Sequence, residues 1–167
     1  MTKKQRIVSG VVLGIYTVLL SWLVLLKLSP DINSIMEMHS RSLNLIPFAE
    51  SAVVNGKVNV MEIMMNVVVF IPLGVYVQLF NPKRSIWYRI FPAFLLSLTY
   101  ECIQYAFAIG ASDITDLLMN TLGGMIGIAL CVLFLRLFNR MYVAVINGVG
   151  ILVEAGAFSM IALLTGN

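Results

Sequence analysis

Charge is what this sequence has least of. Only 11% of its 167 residues are charged, against 60% hydrophobic, where a soluble domain typically carries about 25% charged residues. Too little polar surface remains to coat a water-soluble globule, so lipid must solvate much of the chain. There is a single histidine, His39, which reads as an ordinary surface residue. With no His-rich spacing, no metal site is expected. No Ser-His-Asp set and no Gly-rich phosphate loop occur either, and no cofactor is expected. The two cysteines do not form a disulfide framework. Cys102 falls in the outer third of the third apolar run and Cys131 in the inner half of the fourth. Their depths differ by roughly 10 Å, beyond the ~4.4–6.8 Å Cα separation of a disulfide. Both read as packing residues. Internal repeats and low-complexity stretches are also missing.

What is present is apolar length. Runs at about 7–28, 60–80, 87–109, 117–138 and 141–164 each supply the roughly 20 residues a helix needs to cross a 30 Å hydrocarbon core. A span in lipid must satisfy its own backbone hydrogen bonds, so helix is the expected form. The fold expected is an all-α membrane bundle of about five transmembrane helices forming one domain. Lys3, Lys4 and Arg6 precede the first run as in a signal peptide, but the run is long and no small-x-small cleavage pattern comes after it. An uncleaved signal anchor is expected. The longest connection, 29–59, holds Pro30, Arg41 and the semi-apolar stretch from Leu43 to Phe48, too short to span. It suits a short interfacial or re-entrant outer segment, with Pro47 ending any helix before it.

The charges also set an orientation. With a cytoplasmic N-terminus, the inner segments hold Lys3, Lys4, Arg6, Lys83, Arg84, Arg89, Arg136 and Arg140, which is eight of the eleven basic residues and no acid. The outer ones hold only Lys27, Arg41 and Lys57. Asp31, Glu37, Glu50, Glu62, Asp113 and Asp116 fall in or beside outer segments, while Glu101 and Glu154 lie within spans. This obeys the positive-inside rule throughout and places the C-terminus outside the cytoplasm. Trp87, Tyr88 and Tyr142 fall where an inner aromatic belt would sit. Topology and anionic lipid account for the basic balance, so no nucleic acid partner is invoked.

Polar side chains inside the runs are expensive, at least about 2.5 kcal/mol for an ionisable group on insertion scales, so each invites an explanation. Glu62 and Asn66 share a helix face. Ser97, Glu101, Gln104 and Ala108 form a stripe on the third run, flanked by Tyr100 and Tyr105. Asp113, Asp116 and Asn120 form another on the fourth, continuing through Gly123, Gly124 and Gly127. All three stripes lie toward the outer side, with Glu101 about 12 Å deep. Asp113 and Asp116 suit the positive end of the fourth helix. Arg41 is the nearest counter-charge candidate. Each residue alone reads more simply as helix glue, worth about 0.6 kcal/mol, or as a helix cap. Together on one side they read as a polar cleft lined by Arg41, Asn44, Asn66, Glu101, Gln104, Asp113, Asp116 and Asn120. Gly10-x-x-x-Gly14 and Gly123-x-x-x-Gly127 predict close helix contacts, and Pro72 and Pro92 predict kinks. Glu154 and Asn147 share a face; they point into the bundle, at a partner subunit, or along a second polar path.

These stripes also carry a family resemblance. Arg41-Ser-Leu-Asn-Leu-Ile-Pro-Phe48 resembles the R-x-x-N-L-x-P-F element of the VanZ family. Asn66-Val-Val-Val-Phe-Ile-Pro-Leu-Gly74 is similar to its N-x-x-x-F-x-P-x-G helix, Glu101-x-x-Gln104 to its E-x-x-Q pair, and the run from Asp113 to Gly124 to its D-x-x-D-x-x-x-N-T-x-G-G. The resemblance covers about residues 10 to 130, with every motif in order. Many members carry an arginine shortly before the first aspartate; here 107–112 has none, which resembles the teicoplanin-resistance branch.

That resemblance implies low-level resistance to teicoplanin and other lipid-tailed glycopeptides. The residues themselves add a place for it, an outward-facing cleft engaging an amphiphile at the outer leaflet. The expected partners are membrane lipid, a lipoglycopeptide drug or a wall-precursor lipid. Two alternatives stay open. Paired carboxylates with an arginine and a glutamine could do acid/base chemistry or hold a divalent cation on a lipid phosphate, making this a membrane enzyme. Otherwise the chain is a structural or partner-binding membrane protein.

Overall fold

The computed structural model describes residues 1–26, 40–48, 53–54, 57–58, 60–138 and 141–165. Five helices dominate them: α1 (Lys3–Leu26), α2 (Val60–Phe80), α3 (Ile86–Phe107), α4 (Ile114–Phe138) and α5 (Tyr142–Thr165). All five are long and apolar enough to cross a membrane, and the chain is a multi-pass membrane protein with an all-α bundle. Much of the expected outer connection, including His39 and Pro30, lies outside the described residues.

Local chemistry fixes several helix ends. Thr2 and Gln5 form a reciprocal capping box, Thr2 N–H to Gln5 Oε1 at 2.8 Å and Gln5 N–H to Thr2 Oγ1 at 3.2 Å, so α1 begins at its first basic residues. Ser85 caps α3 by accepting the Tyr88 N–H. Helix α3 stops at Phe107, two residues short of the expected 109. Ala108 takes the left-handed conformation, φ 55°, and its N–H bonds to the Gln104 and Tyr105 carbonyls. A left-handed residue after the last helical turn satisfies orphan carbonyls and turns the chain out.

Beyond Ala108 the chain is extended. β4 (Ile109–Asp113) pairs in parallel with β1 (Ser40–Asn44), Ser40 opposite Ile109 and Asn44 opposite Asp113. β2 (Val53–Val54) and β3 (Lys57–Val58) make a short antiparallel pair. The β1–β4 ladder marks one end of the bundle. The semi-apolar stretch expected to lie on the surface or re-enter is the end of β1 and a turn after it, with Leu43, Leu45, Ile46 and Phe48 exposed. Phe48 has φ 60°, and its N–H donates to Thr115 Oγ1 at 2.9 Å, tying the turn to the start of α4.

Between helices in lipid the hydrophobic effect offers little, and small residues that allow close backbone approach decide the packing. A seam of glycines joins α2 to α4. A Cβ added at Gly123 would lie 2.1 Å from the Val67 carbonyl oxygen, one at Gly127 2.0 Å from that of Ile71, and one at Gly74 1.9 Å from that of Gly124. The Gly123-x-x-x-Gly127 expectation therefore holds. Gly10 and Gly14 are different: a Cβ at either meets nothing within 4 Å, so they mediate no close contact among the described residues. Two apolar clusters flank the seam, one built on Tyr16, Leu20, Phe70, Leu73 and Tyr100 and the other on Val12, Tyr76, Cys131, Val143 and Ile146. Phe70 and Tyr100 meet edge to face, 6.4 Å between centroids. Cys131 packs as expected, whereas Cys102 is exposed on the outer surface of α3, since the buried face of α3 runs through Ser97, Tyr100, Glu101 and Gln104.

At the opposite end, the connection 81–85 is drawn in by polar contacts. Arg89 donates to Gln78 Oε1 and to the Ser85 carbonyl, and the Arg84 guanidinium lies 5.3 Å from the Tyr88 ring centroid.

The seam gives a direct test. Gly127→Ala should destabilise the detergent-solubilised protein by about 1–3 kcal/mol, the usual cost of overpacking, while Gly14→Ala should leave the thermal midpoint unchanged or slightly higher. Equal midpoints for the two variants would show that the α2–α4 seam is not close-packed.

Candidate functional site

Most of the expected site residues lie toward the ladder end, in separate hydrogen-bonded groups. Glu101 comes from α3, six residues before its last, hence about 9 Å from that end, shallower than the sequence suggested because the helix stops early. Its side chain is 5% exposed. Glu101 Oε2 accepts the backbone N–H of Asp113 at 2.7 Å. Asp113 itself is the last residue of β4 and caps α4, its Oδ1 accepting the Thr115 N–H at 2.8 Å. The same oxygen accepts from Asn44 Nδ2 at 3.1 Å, and Asn44 Oδ1 accepts the Ile46 N–H at 3.0 Å. Thus the capping reading and the clustering reading describe one arrangement: the cap is the point where α3, α4 and β1 are joined.

A second group lies between α2 and α4. Asn66 Nδ2 donates to Asp116 Oδ1 at 2.5 Å, and both residues are only partly buried. Asp116 sits in the first turn of α4, where a negative charge suits the helix dipole. One turn on, Asn120 Nδ2 donates to Ser97 Oγ at 2.9 Å, linking α4 to α3. Gln104 goes elsewhere. Its Nε2 donates to the Val24 carbonyl at 3.1 Å, so it joins α3 to α1 and does not bond to the carboxylate group. Arg41 is placed by its backbone opposite Gly110, on the ladder that carries Asn44; its side chain lies outside what is described.

Sequence reasoning missed Thr115, which is 1% exposed and receives the turn at Phe48 while its own N–H bonds Asp113. Its place two residues after a capping aspartate is the signal that could have found it. The ladder was missed as well, because its two strands are far apart in sequence and neither shows strand periodicity.

Chemically the group is rich in acceptors. Beyond the three carboxylates, the deeply buried Asn120 Oδ1 has no hydrogen-bond partner among the described residues, and neither has Gln104 Oε1, which lies outside the group on the side toward α1. Groups suited to such a site are donors: amide N–H, hydroxyl or ammonium.

A multi-pass helical bundle with acids and amides gathered beside a two-strand ladder at one end defines the class of protein. The chain belongs to the VanZ family, the VanZ/LLP1 family model matching residues 13–135. It is 42% identical over 125 residues to Protein VanZ of Enterococcus faecium, the match covering 75% of this chain and 74% of that protein. No solved structure matches.

The link between Glu101 and Asp113 can be tested by its acceptor. Leaving a buried backbone N–H unsatisfied costs about 1–3 kcal/mol. Glu101→Leu should lose that much in thermal or chemical unfolding of the purified protein, and Glu101→Gln, which keeps an oxygen at the same reach, should lose clearly less. Equal losses would mean that the hydrogen bond contributes little.

Proposed function

We propose that the protein confers low-level resistance to teicoplanin-type, lipid-tailed glycopeptides by engaging an amphiphile at the outer leaflet. The amphiphile is the drug itself or a wall-precursor lipid, held in a polar cleft at the ladder end. The observation that carries this reading is the gathering of acids and amides at that end: Glu101 and Asp113 with Asn44, and Asp116 with Asn66. A glycopeptide brings the complement, amide N–H groups and sugar hydroxyls, on a molecule whose tail partitions into lipid. The exposed Leu43, Leu45, Ile46 and Phe48 beside Asn44 would seat the site at the membrane boundary. Family membership and the similarity to Protein VanZ support resistance as the biological outcome. Holding the drug at the membrane surface would lower its productive accumulation at its target.

This reading requires the ladder end to face outward. The basic end, with Lys83, Arg84 and Arg89, then lies in the cytoplasm, as the positive-inside rule demands.

Expression in a susceptible Gram-positive host should raise the inhibitory concentration of teicoplanin more than that of vancomycin. Glu101→Gln, Asp116→Asn and Arg41→Ala, at matched membrane abundance, should each reduce that gain and weaken binding of teicoplanin to protein-containing vesicles. Full resistance in all three would end the proposal.

Orientation has its own measurement. In a Cys102→Ser, Cys131→Ser background, a cysteine placed at Ser42 should react with a membrane-impermeant maleimide on intact cells, and one placed at Ser85 should react only after permeabilisation. The reverse pattern would invert the topology.

A further inference from the structure

The second polar group of the bundle lies away from the ladder, between α1, α2 and α5. Asn147 on α5 points inward: its Oδ1 accepts from Ser9 Oγ at 3.0 Å and from the Tyr76 hydroxyl at 3.3 Å. Glu154, two turns along the same helix, is only 7% exposed, and its Oε1 has no hydrogen-bond partner among the described residues. It is the thirteenth residue of α5, about 18 Å from the start of the helix at 1.5 Å per residue, which puts a carboxyl group near mid-membrane.

Two cavities meet at this carboxyl. One of about 210 Å³ and one of about 490 Å³ share Tyr16, Ile71, Pro72, Val149, Val153 and Glu154 in their walls. The larger falls within the roughly 300–1,000 Å³ typical of small-molecule sites, and its remaining walls are almost wholly apolar. The two tyrosine hydroxyls nearby are already spent. Tyr16 donates its hydroxyl to the Val69 carbonyl, and Tyr76 donates to Asn147. Among the described residues lining either cavity there is no lysine or arginine.

An apolar chamber with a lone buried acid and no cation among its described walls is complementary to an apolar chain that brings a positively charged donor. We propose that the α1–α2–α5 chamber binds the chain of a long-chain amine, with its ammonium group donating to Glu154. Such a charge-assisted hydrogen bond is among the strong ones in an apolar setting. The residues involved are distinct from those of the ladder end, so this site stands or falls independently of the resistance reading.

Trp22 lines the larger cavity and reports on it. The only other tryptophan, Trp87, is 78% exposed and can be replaced by phenylalanine. In Trp87→Phe protein reconstituted in zwitterionic nanodiscs, brominated dodecylamine should quench Trp22 saturably. Brominated dodecanoate should give only the linear quenching of bilayer partition. Glu154→Gln should weaken the amine's apparent affinity by at least about tenfold, the loss expected of a charged hydrogen bond. Gly156 lines the same cavity, and a Cβ there meets nothing within 4 Å. Gly156→Leu should therefore fold normally and abolish saturable quenching by filling the space, which keeps the test decisive if Glu154→Gln folds poorly. An unchanged apparent affinity in folded Glu154→Gln, saturable quenching that survives in folded Gly156→Leu, equal quenching by amine and carboxylate, or amine quenching that never saturates would each overturn the proposal.

Discussion

A carboxylate taken out of water needs donors, and a backbone N–H taken out of water needs an acceptor. At the ladder end Glu101 and the Asp113 N–H solve each other's problem, and much of the local structure depends on that solution. Because α3 ends at the left-handed Ala108, the chain can turn back so that Asp113 returns over Glu101. With Asp113 held there, its side chain is free to cap α4 and to receive Asn44, and β4 presents an edge on which β1 can pair. Buried polar groups in such a network raise the stakes of each bond, since a half-satisfied network in low dielectric costs more than an apolar one. The turn at Phe48 obeys the same logic. A bulky residue at φ 60° costs on the order of 1–3 kcal/mol, and the bond from its N–H to the buried Thr115 hydroxyl offsets part of that.

The glycine seam explains why the second pair can form. Asn66 and Asp116 lie on α2 and α4, the two helices drawn closest by Gly74, Gly123, Gly124 and Gly127. Both helices start at the ladder end and run the same way, so contacts at Val67 and Ile71 fix their relative register directly below Asn66. Packing and polar contact therefore reinforce each other. Lipid gives no hydrophobic push, and backbone approach supplies the geometry in which a short amide and a short carboxylate can meet. Ser97 and Asn120 extend the same coupling to α3, where Ala93 packs against Gly124.

Much of this was legible in the sequence because membrane constraints are strict. Five helices arise from five apolar runs, and the polar stripes on the third and fourth runs single out Glu101, Asp113, Asp116 and Asn120 without any knowledge of the fold. The signals that failed are those in which length and composition do not discriminate. Ile109 reads as the last residue of the third span, yet the left-handed Ala108 stops the helix at Phe107 and Ile109–Asp113 forms a strand. The ladder depends on two segments nearly seventy residues apart, which no local periodicity reports. Gly10-x-x-x-Gly14 and Gly123-x-x-x-Gly127 are equivalent as strings, and only the neighbouring helix decides which one is used. Gln104 shares a helix face with Glu101, but a long amide can reach a neighbour that a carboxylate cannot, and it finds the free carbonyl of Val24.

The two polar groups differ in what holds them. Every site residue at the ladder end falls between Arg41 and Asn120, inside the stretch matched by the family model, and the bonds among them use α2, α3, α4 and the ladder, with Gln104 alone reaching α1. Helix α5 contributes none of these bonds, and its polar side chains turn instead to Ser9 and Tyr76. Asn147 is matched by two hydroxyl donors, whereas Glu154 Oε1 finds none among the described residues. Natural membrane proteins rarely keep an ionisable group at such depth unless it is partnered or functional. An apolar side chain is less costly at that depth, so the place of this carboxyl beside two cavities is better explained by what enters them than by what surrounds it.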